Sequence, residues 1–219
     1  MNKKRPMFPI SKKLVRNERA VAAVEFALVS PLMLALYMGS MEVSQVITVD
    51  KKVSTVASSV GDLVARADGS IDATTVDDYI NASNVLMSPY PASNLKQRVT
   101  SVYVDNSGQT NVEWSISYNG AEVETLDSTF NLPTHIVNLA KNGYVIVSES
   151  ETGYRPWGGY VIDQDFTLYK VFYHLPRFGE EIALNGSSST GEMATTDTGN
   201  GGNNGGGNNG GGNNGGGNN

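Results

Sequence analysis

The residue types that most often carry catalysis or bind metals are sparse in this chain. There is no cysteine, which excludes disulfide frameworks, thiolate metal sites and cysteine nucleophiles. The two histidines, His135 and His174, lie far apart and show no metal-ligand spacing. Three acidic pairs have the chemistry to bind a cation: Asp77 with Asp78, Asp163 with Asp165, and Glu180 with Glu181. The pair Asp163 and Asp165 lacks the full spacing of a calcium loop. We interpret all three pairs as solvated turns or faces and expect no enzyme activity, metal site or cofactor.

A single acid in an apolar segment is more informative. Glu25 interrupts residues 20–41, which are otherwise apolar or small. A helix over this segment would span roughly 33 Å, against a hydrocarbon core of roughly 30 Å. A carboxylate inside a bilayer costs about 2.5 kcal/mol or more even on lenient insertion scales, so such residues are usually kept for a function. The segment therefore predicts a single transmembrane helix with a functional acid near one end.

The distribution of charge predicts the orientation of that helix. Seven basic residues and one acid precede Ala20, whereas nine basic residues and twenty acids lie from Glu42 onward. The positive-inside rule then keeps the N-terminus in the cytoplasm and sends the acidic remainder outward. An acidic outer domain also disfavours nucleic-acid binding. A cleaved secretory signal fits poorly, because the apolar run is long, contains a charge and lacks a small-x-small cleavage site.

The segment RAVAAVEFALVSPLMLALYMG resembles the N-terminus of TadE-like proteins, the minor pseudopilins of tight-adherence (Flp-type) pilus systems. In that family a basic leader ends at a small residue, usually glycine. Four small or apolar residues follow, then a glutamate, an aromatic residue and a transmembrane helix that contains a proline. In this chain the small residue is Ala20, the acidic and aromatic pair is Glu25 and Phe26, and the proline is Pro31. Alanine replaces the usual glycine.

The resemblance implies cleavage by a prepilin peptidase after Ala20, which would make Val21 the first residue of the mature chain. The processing site would then comprise Ala20, Val21, Glu25 and Phe26. The carboxylate of Glu25 would lie about one turn from the new amino group, where the helix dipole favours it, or would neutralise the terminus of a neighbouring pilin subunit. The simpler alternative is that Glu25 reaches the cytoplasmic interface as a snorkelling side chain.

Two functions remain open at this point. The resemblance implies a structural subunit in a bacterial inner membrane, with its C-terminal domain in the periplasm. Such a subunit packs its N-terminal helix against other pilin or pseudopilin subunits during assembly of an adhesive pilus. The alternative is an uncleaved, single-pass membrane-anchored module that binds a partner or the cell envelope outside the cytoplasm.

The apolar pattern continues past the membrane segment but becomes periodic. Valines recur at positions 46, 53 and 60, with Val49, Val56 and Leu63 three residues further on in each repeat. This stripe predicts that the helix continues to about Arg66. We expect it to cover the protein's own sheet rather than form a coiled-coil dimer, because three heptads are at the lower limit for one. Gly61 weakens the intrinsic helix, so packing must stabilise it.

The remaining chain predicts an α+β domain. We expect helices at 72–87 and 132–141, a β-hairpin from 98–104 and 112–118, strands at 144–148 and 166–175, and a possible strand at 159–162. Seven late aromatics are interpreted as sheet core in preference to a binding platform: Tyr154, Trp157, Tyr160, Phe166, Tyr169, Phe172 and Tyr173.

The predicted organisation has five parts: a cytoplasmic leader (1–20), a transmembrane helix (21–41), a helical extension (42–66), the periplasmic α+β domain (67–198) and a tail (199–219). The tail contains only glycine and asparagine, so it has no apolar side chain to bury and is predicted to be a flexible coil.

Overall fold

The computed structural model describes residues 18–188 and 191–195. Most of the predicted leader and the whole predicted tail lie outside the described residues. In chain order the elements are α1 (Glu18–Val64), β1 (Ser70–Asp72), α2 (Ala73–Asn84), a 3₁₀ turn (Val85–Met87), β2 (Lys96–Val104), β3 (Thr110–Tyr118), α3 (Thr134–Leu139), β4 (Gly143–Tyr154), β5 (Phe166–His174), β6 (Ala183–Asn185) and β7 (Glu192–Thr195). The fold is a long N-terminal helix followed by a small antiparallel sheet domain with helices, which confirms the predicted α+β class.

Helix α1 is one continuous element of 47 residues with Pro31 inside it. Its length is roughly 70 Å at the standard rise. The second half buries four residues of the predicted stripe: Val49, Val53, Val56 and Val60. The stripe's two end residues, Val46 and Leu63, are half-buried, and Val64 is buried although it was not part of the predicted stripe. These side chains pack on strands β4 and β5 and on α2. The stripe therefore covers the protein's own sheet, as expected.

The main sheet has the order β5-β4-β2-β3-β7, and all of its neighbouring strands are antiparallel. The predicted hairpin is β2 and β3, joined by a tight turn in which the carboxylate of Asp105 accepts a hydrogen bond from the Gln109 amide (2.8 Å). One face of the sheet carries α1. The other is covered by α3 and the segment before it, where Leu132 packs with Val102, Val104, Val145 and Val147.

Three strands were not foreseen. Strand β1 pairs in parallel with β6 as a separate two-stranded sheet, and β7 adds the outer edge beside β3. Strand β4 is also longer than the predicted 144–148. The prediction of a strand at 159–162 is wrong. The backbone amides of Tyr160, Val161 and Ile162 donate hydrogen bonds to the carboxylate of Glu42 instead of to a neighbouring strand.

Candidate assembly helix and its junction with the sheet domain

The first half of α1 projects from the domain as an apolar arm, which we define as residues 21–41. No residue of the most apolar stretch of α1 is buried, and the helix is long and apolar enough to cross a bilayer. Eleven of its large apolar side chains are exposed: Val21, Val24, Phe26, Leu28, Val29, Leu32, Met33, Leu34, Leu36, Tyr37 and Met41. Contiguous apolar surface of this extent marks a membrane or protein interface. The arm therefore supports membrane anchoring.

The residues of the predicted processing site lie at the free end of this arm. Ala20 is in the first turn of α1. Val21 and Glu25 are one helical turn apart and both exposed, and Phe26 is 74% exposed. Within the described residues, no hydrogen bond or ion pair involves the Glu25 carboxylate. Its side chain is thus open to a group beyond the described residues.

A second acid marks the other end of the arm. Glu42 is the next charged residue after Glu25, yet its side chain is only 2% exposed. Its carboxylate accepts hydrogen bonds from three successive backbone amides: Tyr160 (2.7 Å), Val161 (3.2 Å) and Ile162 (2.8 Å). Burial raises the pKa of Glu42, but the three amide donors outweigh it and hold the pKa below its ordinary value. The carboxylate is therefore stabilised in its charged form.

The amides converge because of the loop that carries them, residues 155–165, which we call the junction loop. Gly158 (φ 106°) and Gly159 (φ 55°) adopt backbone conformations that other residues rarely take, and they turn the chain so that the following amides face α1. Gln45, one turn beyond Glu42, accepts hydrogen bonds from the Trp157 amide and the Tyr154 hydroxyl, each at 3.2 Å. The junction loop is thus fastened to two consecutive turns of α1.

Sequence reasoning did not single out Glu42. Two features of the sequence could have suggested it: it is the first charge after a membrane-length apolar run, and a Gly-Gly pair in a distant loop allows successive amides to face one acceptor. Neither feature identifies the other, since Glu42 and Ile162 are 120 positions apart. The pairing became visible only in the folded chain.

The acidic pairs have mixed outcomes. Asp163 and Asp165 are exposed, as expected, and both lie near Arg155 across the neck of the junction loop. The interpretation of Asp77 as a solvated residue is wrong. Asp77 is buried and accepts hydrogen bonds from the Tyr118 hydroxyl (2.5 Å) and the Ser188 hydroxyl (2.7 Å). Within the described residues no group of three or more His, Asp or Glu side chains is arranged to hold a metal.

The late aromatics divide into two groups. Phe166 packs with Leu168 against the valines of α1, as the sheet-core interpretation predicted. That interpretation is wrong for the junction loop, where Trp157 is 81% and Tyr160 is 69% exposed. Tyr169 is half-exposed, and its hydroxyl donates a hydrogen bond to Glu149. The exposed pair lies beside the root of the apolar arm rather than on the sheet.

A polar cavity of about 260 Å³ opens on the sheet face opposite α1. At its centre the Arg98 guanidinium lies between the carboxylates of Glu149 (2.6 Å) and Glu124 (2.7 Å). Burial lowers the pKa of Arg98, but the hydrogen bond and the charge of Glu149 have a larger, opposite effect, so the pKa lies above its ordinary value. The cation is therefore already neutralised from within the chain, which makes the cavity a poor anion site.

Comparison with known proteins identifies one family. Residues 20–61 match the family model of TadE-like proteins, which confirms the resemblance seen in the sequence. The match begins at Ala20 and covers most of α1 but none of the sheet domain. No curated protein and no solved structure matches this chain.

Proposed function

We propose, from the TadE-like match, that this chain is a minor pseudopilin-like structural subunit for assembly of a tight-adherence pilus. The leader 1–20 is removed by a prepilin peptidase after Ala20, and Glu25 becomes the fifth residue of the mature protein. The apolar arm then packs against the helices of other pilin or pseudopilin subunits. The sheet domain lies in the periplasm, with the N-terminus of the uncleaved chain in the cytoplasm.

The observation that carries this proposal is the contrast between the two halves of α1. The half beyond Glu42 buries one face on the sheet, whereas the apolar arm, apart from its contact with the junction loop at Gly39, is exposed within the described chain. Lipid alone accounts for an apolar arm but gives no reason for Glu25, whose carboxylate costs free energy in the membrane unless it snorkels to the interface. An amino terminus exposed by cleavage supplies a positive charge to this end of the helix, in this chain or in a neighbour.

The first test concerns processing. Intact-mass measurement and N-terminal sequencing of the protein from cells with and without the prepilin peptidase are expected to show a chain that begins at Val21 only when the peptidase is present. Ala20→Gly introduces the residue usual in TadE-like proteins and should be processed at least as completely. A chain that retains its leader in both strains would contradict the proposal.

The second test separates maturation from assembly. Glu25→Gln keeps the size and removes the charge, so we expect defective pilus assembly with a folded, membrane-inserted protein. Glu18→Gln is the matched control, because it removes an acid that is lost with the leader, and piliation should be normal. Normal maturation and normal piliation of Glu25→Gln would rule out a functional role for this carboxylate.

An uncleaved anchored module is the second candidate. It is favoured by the cavity around Arg98, which lies on the face of the sheet away from α1. This candidate requires that the full leader persists and that pilus assembly does not depend on the protein. The processing test above therefore distinguishes the two.

A further inference from the structure

We propose that the junction loop is a membrane-docking element that inserts Trp157 and Tyr160 into the lipid interface where α1 leaves the bilayer. This inference rests on the membrane anchoring within the proposed function. It does not depend on peptidase cleavage or on pilus assembly.

The position of the loop along α1 is the first argument. Glu42, which holds the loop, lies 21 residues after Val21, or about 32 Å along the helix. That distance matches a hydrocarbon core of roughly 30 Å, so a bilayer that covers the arm ends near Glu42. The loop also reaches back to the arm itself, because a Cβ built on Gly39 would lie 3.4 Å from Cγ1 of Val161. The loop is therefore at the depth of the lipid headgroups.

The composition of the exposed surface is the second argument. Trp157, Tyr160 and Val161 are the three large apolar side chains that the loop exposes. Tryptophan and tyrosine combine an apolar ring with a polar N–H or O–H group, and both are enriched at membrane interfaces for that reason. In water these side chains would form an apolar patch continuous with the arm. A lipid surface is the occupant that covers the patch and the arm together.

The polar contacts beneath the patch are the third argument. The backbone amides of Tyr160, Val161 and Ile162 are satisfied by Glu42, and that of Trp157 by Gln45. A loop near hydrocarbon must satisfy its amides internally, since unpaired ones are costly there. The buried carboxylate of Glu42 thus permits irregular backbone at the membrane surface. It also fixes the rings at one depth relative to the helix.

Tryptophan fluorescence tests the proposal directly, because the chain has two tryptophans and only Trp157 is exposed. The full-length protein is placed in phosphatidylcholine nanodiscs, and the Trp157 signal is the difference between the wild type and Trp157→Phe. We expect lipids brominated near the headgroup to quench most of this signal and aqueous iodide to quench little of it. Trp114, which is 2% exposed and common to both proteins, should respond to neither.

Two further variants guard against an effect of misfolding. In the Trp157→Phe background, Tyr160→Trp returns a tryptophan to the loop and should restore quenching by brominated lipid. Leu139→Trp in the same background is the matched control. Leu139 is exposed on α3, next to the Gly143 end of β4, whereas the junction loop follows the Tyr154 end. The two ends of this twelve-residue strand are roughly 36 Å apart. A tryptophan at position 139 should be quenched by iodide alone.

Three results would overturn the proposal. Quenching of Trp157 by iodide but not by brominated lipid would place the loop in water. Protection from both quenchers would mean that a second protein copy covers the patch instead of lipid. Failure of the full-length chain to enter nanodiscs would overturn the membrane anchoring as well, whereas the first two results leave that part of the proposed function intact.

Discussion

Gly61 offers a sharp test of how α1 is held on the sheet. Helix propensity alone predicts that Gly61→Ala stabilises the protein, by up to about 1 kcal/mol. The structure predicts the opposite sign. A Cβ added at position 61 would lie 2.5 Å from Cδ2 and 2.7 Å from Nε2 of His174, and 2.9 Å from Cβ of Ser148. All three separations are shorter than normal carbon contacts.

The magnitude follows from these two opposing effects. Overpacking of a close-packed site costs roughly 1–3 kcal/mol. The upper part of that range applies, because Ser148 Cβ moves only with strand β4 and the His174 ring is half-buried. Subtracting the gain in helix propensity leaves a net loss of about 2 kcal/mol. For a chain of this size that corresponds to a decrease of roughly 4–8 °C in the thermal midpoint.

Thermal unfolding of the full-length protein in detergent, followed by circular dichroism, measures this change. Gly153→Ala is the matched control, because a Cβ at Gly153 meets no atom within 4 Å, and its midpoint should stay near that of the wild type. His174→Ala removes the two closest contacts, so the double variant with Gly61→Ala should lose less stability than the two single changes added together. A Gly61→Ala protein as stable as the wild type would refute the close-contact explanation.

The remaining predictions concern the two buried carboxylates. Glu42→Gln removes one acceptor oxygen and the charge, so we expect hydrogen exchange at residues 160–162 to accelerate roughly tenfold, and unchanged exchange would show that other contacts hold the loop. Because the pKa of folded Glu42 lies below 4.5, its ordinary value, its stabilisation of the loop is complete above that pH and is lost as the pH falls through the folded pKa. Protection of these amides, corrected for intrinsic exchange, should therefore fall in acid in the wild type but change little in Glu42→Gln. Tyr118→Phe removes a donor to buried Asp77 and should cost about 1–3 kcal/mol in thermal unfolding, whereas an unchanged midpoint would mean that this hydrogen bond contributes no net stability.

The valine stripe of α1 shows what local pattern can predict. The spacing of Val49, Val53, Val56 and Val60 reports a helix with one buried face, and both the helix and the face are observed. Such a pattern depends only on residues within two turns of each other. The hairpin β2 and β3 was predictable for the same reason, since its turn lies between two alternating segments.

Pairings between distant segments carry no such local pattern. Strand β1 has three residues and becomes a strand only because β6, more than one hundred positions later, lies beside it. Gly61 was read as a weak point of the helix, but its missing side chain is what lets α1 approach β4 and β5. In both cases the deciding neighbour is remote in sequence, so the residue's own type was ambiguous.

The prediction that the aromatics of the junction loop belong to the sheet core was wrong for a different reason. Phe166 and Trp157 are both large and apolar, and composition alone cannot separate a core side chain from an interfacial one. The distinction depends on the two glycines before Tyr160, which turn the loop out of the sheet and onto Glu42. A strand at 159–162 would have required the same amides to pair with a neighbouring strand.

The two acids at the ends of the arm differ in the source of their partners, and this difference bears on function. Glu42 receives three amide hydrogen bonds from its own chain, so folding alone satisfies it. Glu25, within the described residues, receives none. A membrane-facing carboxylate without a partner is disfavoured, so under the proposed function the group that compensates Glu25 is a new amino terminus or another molecule. The alternative is a side chain that snorkels to the cytoplasmic interface. Glu42 is therefore expected to matter for the fold of the monomer, and Glu25, under the proposed function, for assembly of the helix with other subunits.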